Sequence, residues 1–142
     1  MTRVDFYLLQ QQQTLERNRF ACRLVNQLYR QGRNIYLHCA DEASAGALDE
    51  LLWGFAPQAF LPHGLLGGAD DERIAIGWKD NPGHHRDVMI NLALSVPEFV
   101  GRFERVAEVV VQAPEIRDPL RESWKYYKSR GYPLHNNKIQ DP

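Results

Sequence analysis

Between Arg3 and Leu52 the apolar residues change period from strand-like to helical twice over, and this alternation constrains the fold more than any other feature. Arg3–Leu9 (RVDFYLL) is a short run of strand formers that ends in a glutamine tract. Thr14 is placed to cap a helix in which Ala21, Leu24, Val25 and Leu28 follow helical spacing, and Gly32 supplies its stop. Asn34–Cys39 (NIYLHC) reads as a second strand. Asp41 is placed to cap a second helix with apolar positions at Ala47, Leu48, Leu51 and Leu52. Strand, helix, strand, helix at these lengths predicts parallel βαβ units with right-handed crossovers.

The rest of the chain keeps the alternation after one interruption. Gly54–Asp71 (GFAPQAFLPHGLLGGADD) breaks the periodicity with prolines and glycines, yet carries Phe55, Phe60, Leu61, Leu65 and Leu66. A loop this apolar either folds onto the core or serves a partner. Ile74–Trp78, Val88–Leu94 and Arg105–Val111 read as strands, with a turn at Lys79–His85 and a short helix from Pro97 to Phe103. A final helix begins at Pro114 and ends at Gly131 and Pro133. The sum is one domain over residues 1–142: a three-layer α/β/α arrangement around a mostly parallel sheet. With 142 residues, 44% hydrophobic and 25% charged, the chain is large enough for a substantial core. No apolar run approaches the ~20 residues of a bilayer span, and MTRVDFYLLQ does not read as a signal peptide, so a cytoplasmic location is expected.

Net charge is −1, which argues against broad electrostatic capture of nucleic acid. The charge is uneven, however. From Arg117 to Arg130 five Lys/Arg face only Asp118 and Glu122. At about 100° per residue, Arg117, Arg121, Lys125 and Lys128 fall on one face of the final helix. Ile116, Leu120 and Tyr127 form the neighbouring face, with Trp124 on the border. Such a surface suits an acidic ligand with an apolar or aromatic end. A solvated face on a core-anchored helix is the plainer alternative.

Tests for chemistry return little. The first strand–helix turn, Gln10–Thr14 (QQQQT), has no glycine to admit a pyrophosphate, and neither G-x-G-x-x-G nor the phosphate-loop signature occurs. His38, His63, His84 and His85 lack metal-ligand spacing. Arg86 and Asp87 beside the histidine doublet suggest turn chemistry or an internal contact rather than an acid–base pair. Cys22 and Cys39 stand alone as buried thiols, so neither a metal nor a cofactor is expected. No catalytic constellation emerges. Trp53 and Phe60, bracketing the proline-bearing loop, are candidate interface anchors; the alternative is that both plug the sheet.

Five pieces then carry a family likeness: Phe6–Leu9 (FYLL), Leu48–Trp53 (LDELLW), Phe60–His63 (FLPH), Arg86–Leu92 (RDVMINL) and the helix Arg121–Tyr132. In this order and over nearly the whole chain, they resemble the chi subunit of the bacterial DNA polymerase III holoenzyme. The resemblance implies a non-enzymatic adaptor whose α/β fold is nucleotide-binding-like but has lost its nucleotide site. It implies two protein partners: the psi subunit, which tethers chi to the clamp loader, and the acidic, Phe-terminated C-terminal tail of single-stranded DNA-binding protein. Tail-binding positions map to Arg121, Trp124 and Lys125, where Trp124 replaces a frequent tyrosine. Leu120 joins Trp124 as a wall, and Lys128 and Arg117 flank them. The psi surface maps to Trp53 and Phe60, and an accessory helicase is expected to compete for it. Nucleic acid is then contacted only indirectly, and no membrane is involved. Two rivals remain: a small nucleotide- or phosphate-using α/β enzyme, and a direct single-stranded DNA-binding module acting through the basic–aromatic helix.

Overall fold

The computed structural model describes residues 2–54, 64–65 and 73–140. Seven strands form one sheet in the order β3-β4-β2-β5-β6-β1-β7, where β1 is Arg3–Leu9, β2 Ile35–His38, β3 Gly64–Leu65, β4 Ile74–Gly77, β5 Val88–Asn91, β6 Arg105–Val110 and β7 Leu134–Ile139. Every pairing among the described residues is parallel. The helices are α1 (Thr14–Arg30), α2 (Glu42–Gly54) and α3 (Pro114–Ser129), and a short 3-10 helix spans Glu98–Arg102. The three-layer α/β reading therefore holds, and the described sheet is parallel throughout.

A parallel sheet is covered on both faces, and its inner strands accordingly read as continuous apolar runs. All four residues of β2, β4 and β5 are buried. On one face Ala21, Val25 and Leu28 of α1 and Leu48 and Leu52 of α2 pack on Leu37, Ile76 and Ile90. On the other, Ile116, Leu120 and Tyr127 of α3 join Phe99 and Val100 of the 3-10 helix over Phe6, Tyr36 and Val106. Phe6 and Tyr127 meet edge to face at 6.0 Å.

Local chemistry sets most boundaries. Asp41 caps α2, its carboxylate accepting the Ser44 N–H at 2.8 Å. The cap of α1 falls on Gln13, one residue before Thr14, without a side-chain hydrogen bond. Helices α1 and α3 end alike. Gly32 (φ +83°) and Gly131 (φ +79°) take the left-handed conformation. The amides of Arg33 and Tyr132 then reach back to the carbonyls of Leu28 and Tyr127, the doubly bonded terminus that glycine permits.

Several strand readings shorten by one to three residues, because Asn34, Cys39, Trp78, Leu92–Leu94 and Val111 lie outside the ladders. Two elements escaped the sequence reading. Strand β7 follows Gly131 where only a helix end was expected, and β3 lies within the proline-bearing segment. Most of that segment, including Phe60 and His63, lies outside the described residues.

One polar network crosses the core. Arg17 of α1 donates to the carbonyls of Val109 (2.8 Å) and Leu92 (2.9 Å). The Glu108 carboxyl accepts from Tyr127 of α3 (2.7 Å) and Asn91 of β5 (2.9 Å) through the same oxygen. Burial pushes that carboxyl up to about 7, against the opposing pull of these hydrogen bonds and of Arg17. Asp5, also fully buried, is held by Arg105 at 2.7 Å and Arg3 at 3.0 Å.

Candidate functional site

The cations of α3 matter because of what stands beside them. Ile116, Leu120, Ser123 and Tyr127 anchor the helix in the core, which turns Arg117, Trp124 and Arg121 toward one flank. Across from that flank lies β7, which among the described residues is an edge strand paired only with β1. Between them opens a cleft of about 390 Å³. Leu120, Trp124, Phe6, Leu8 and Val110 are its apolar lining; Arg117, Arg121 and Lys138 supply its cations. Gln10, Gln112 and Asn136 complete the lining with neutral polar groups. The volume is at the lower end for a ligand site and suits one aromatic side chain with its adjoining backbone.

The predicted residues divide. Arg121 is exposed and only 3.9 Å from Asp118, and Arg117 donates to Asp118 at 3.3 Å. Exposed pairs of this kind are worth ~0–1 kcal/mol, so both guanidiniums are readily re-paired with a ligand carboxylate. Lys125 does not line the cleft; its ammonium lies 3.1 Å from Glu122. Lys128 places its ammonium 4.9 Å from the centre of the Trp124 ring. Lys138, Asn136 and Gln112 were missed. The only cue for Lys138 was a polar run, LHNNKI, that does not read as a strand.

On the opposite face of the sheet, Trp53 closes α2 with 49% of its surface exposed. This is high for so large an apolar residue.

Other hollows offer less. A larger one, about 870 Å³, lies at the carboxyl ends of β2 and β4 and along the segment after β5, where doubly wound sheets hold their ligands. Its charges are mixed, however: Asp80 and Glu98 face Arg102. His38 at its edge is nine-tenths buried and hydrogen-bonds the Tyr36 hydroxyl at 2.9 Å, and burial lowers its pKa, so the ring is neutral near pH 7. A second hollow, about 680 Å³, is walled by Asp87, Arg73 and Glu104. Its groups serve the fold: Asp87 is clamped by Arg33, not by Arg86, and Arg73 donates to the carbonyls of Tyr29 and Arg33. The Arg86 guanidinium bonds the carbonyls of Gly83 and His85. Cys22 and Cys39 are buried free thiols, each pushed by burial up to about 12 and so unreactive at neutral pH. Among the described residues no group of His, Cys, Asp and Glu could hold a metal ion, and no helix is long and apolar enough to cross a membrane.

Fold and site together define a parallel α/β domain with a cation-rimmed apolar cleft beside an edge strand. Comparison with known proteins is specific. The sequence profile of the family described as DNA polymerase III chi subunit, HolC, matches residues 1–135. The chain is 45% identical over 139 residues to the DNA polymerase III subunit chi of Pseudomonas aeruginosa, covering 98% of each. It is 31% identical to that of Haemophilus influenzae, over 95% of this chain and 96% of the relative. To that of Escherichia coli it is 28% identical, over 95% and 97%. The chain belongs to the chi-subunit family of DNA polymerase III, and its role is that of an accessory component of the replisome.

Proposed function

We propose that this chain is a non-catalytic adaptor that joins the acidic C-terminal tail of single-stranded DNA-binding protein to the clamp loader through the psi subunit. The observation that carries the reading is the cleft between α3 and β7. Leu120 and Trp124 wall an apolar slot, and Arg117, Arg121 and Lys138 rim it. An acidic peptide that ends in phenylalanine needs both parts: a slot for the ring and cations for its carboxylates. Arg121 presents a planar fork to a carboxylate, while Lys125 and Lys128 add flanking positive charge. The contacts are partly exposed, so micromolar affinity that weakens with salt is expected. Psi, or a helicase that competes with it, is assigned to the surface around Trp53 and Phe60. Because α2 and α3 lie on opposite faces of the sheet, both partners can be held at once.

Titration calorimetry of an acidic, Phe-terminated peptide against the wild type and Arg121→Ala tests the tail site. A loss of roughly tenfold is expected; equal affinities would remove the claim. In the same preparations Trp53→Ala should lose psi in co-purification and keep the peptide. Loss of both activities would mark Trp53 as structural instead.

A further inference from the structure

The sheet order makes β2 and β5 neighbours. From its carboxyl end β2 hands the chain to α2 on one face of the sheet, while β5 hands it to the 3-10 helix on the other. Neighbouring strands whose connections part in this way leave a crevice between them. The cavity of about 870 Å³ lies there, lined by Cys39 and Ala40 after β2 and by Ala93 to Phe99 after β5; its volume is that of a small-molecule site. The glycine-free turn Gln10–Thr14 follows β1, which stands between β6 and β7, so the missing phosphate-binding signature does not bear on this crevice.

His38 is only 8% exposed and lines the cavity. Its Nδ1 meets the Tyr36 hydroxyl at 2.9 Å. Its Nε2 has no partner among the described residues, and it is not one of the unpaired polar atoms sealed in the core. Gly77 lies opposite His38 in the β2–β4 register, and a Cβ there would come within 2.7 Å of the Tyr36 hydroxyl. Glycine weakens a strand; here it makes room for the hydroxyl that holds the imidazole. Asp80, Glu98 and Arg102 also line the cavity, are exposed, and form no hydrogen bond or ion pair among the described residues. Trp78 adds an indole ring. This mixture is poor for an acidic peptide and suits a ligand that combines hydroxyls, an aromatic ring and one anionic group. We propose that the cavity binds a ribonucleoside 5′-monophosphate. Trp78 offers a face to the base, Asp80 and Glu98 accept from the ribose hydroxyls, Arg102 pairs with the phosphate, and His38 Nε2 bonds a polar edge of the ligand. With a single cation and no glycine-rich turn, the crevice does not hold a pyrophosphate. It shares no lining residue with the cleft between α3 and β7, so it stands apart from the tail-binding reading.

Indole ¹H–¹⁵N spectra of the full chain test this, with Trp78→Phe assigning the Trp78 signal among those of Trp53 and Trp124. The probes are the four common ribonucleoside 5′-monophosphates, their 2′-deoxy forms and inorganic phosphate. At least one ribonucleotide should move the Trp78 signal saturably and leave that of Trp124 in place. Its 2′-deoxy form should bind about tenfold more weakly, and inorganic phosphate should leave Trp78 unmoved. Arg102→Ala should weaken the ribonucleotide about tenfold, and Asp80→Asn should narrow the gap between the ribo and deoxy forms. Both side chains are exposed, so these variants keep the fold, which the rest of each spectrum verifies. Absence of a saturable Trp78 shift with all four ribonucleotides overturns the proposal. So does equal binding of ribo and deoxy forms, or indifference to Arg102→Ala.

Discussion

The chain contains two βαβ units with the same construction, β1–α1–β2 and β6–α3–β7, and the cation-rimmed cleft belongs to the second. Both helices are amphipathic and of nearly equal length, 17 and 16 residues. Both end in a left-handed glycine that hands the chain to a parallel strand. Each also carries four cations: Arg17, Arg19, Arg23 and Arg30 on α1, and Arg117, Arg121, Lys125 and Lys128 on α3. Helix α1 even has an aromatic partner for its charges, Arg23 lying 5.6 Å from the Phe20 ring. The units diverge at their second strands. β2 is central, between β4 and β5, whereas β7 is an edge. A central strand is followed by more sheet and another helix, which fill the space beside α1. Beside β7 the described sheet has no further strand, and the flank of α3 stays open there. A basic stripe thus becomes a candidate site through the vacancy next to it, not through its charge count.

The comparison can be broken first at the arginine that α1 turns inward. Arg17→Ala removes two carbonyl contacts and the cation nearest Glu108, and should cost about 3 kcal/mol, measured by urea denaturation. The folded protein should keep its affinity for the acidic peptide, because Arg17 lies on the other side of the sheet. Charge reversal comes next. Arg117→Glu with Arg121→Glu should weaken peptide binding by roughly 100-fold at low salt, while Arg19→Glu with Arg23→Glu changes it by less than about twofold. Comparable losses in both double variants would mean that net charge, not the cleft, governs binding.

Glu108 ties the two units together, touching α3 through Tyr127 and sensing Arg17 of α1. Its folded value, about 7, stands above the ordinary 4.5, so between these limits the folded state holds a proton that the unfolded state has lost. Stability should therefore be greatest below pH 4.5 as far as this group is concerned, and decline on the order of 3 kcal/mol as pH rises to 7. Glu108→Gln should flatten that segment of the melting-temperature profile; an unchanged slope would place the titration elsewhere. The smallest effects separate the two banks of the cleft from its shoulder. Lys138→Ala should weaken the peptide about fivefold and Lys125→Ala by less than about twofold, since only Lys138 lines the cleft.

Much of this architecture was legible because the inner strands are apolar and the helices carry strong stop signals. Gly32, Asp41 and Gly131 mark their boundaries by backbone chemistry that any context preserves. The site was half legible. Arg121, Leu120 and Trp124 could be placed on adjoining faces of α3 from spacing alone, because a helix maps sequence onto its surface by a fixed angle. Lys138 could not, since an edge strand with one partner and little burial has no need of the apolar pattern by which strands are recognised.

By itself, then, the sequence determined the alternation of elements, the parallel sheet and the cationic, aromatic character of α3, all of which follow from local periodicity. Only the tertiary structure decided that β7 joins β1 at the sheet edge, that Lys138 and Arg121 line one cleft that Lys125 does not, and that the indole N–H of Trp124 is left without a partner. Those facts depend on contacts between residues far apart in the chain, where short-range patterning carries no information.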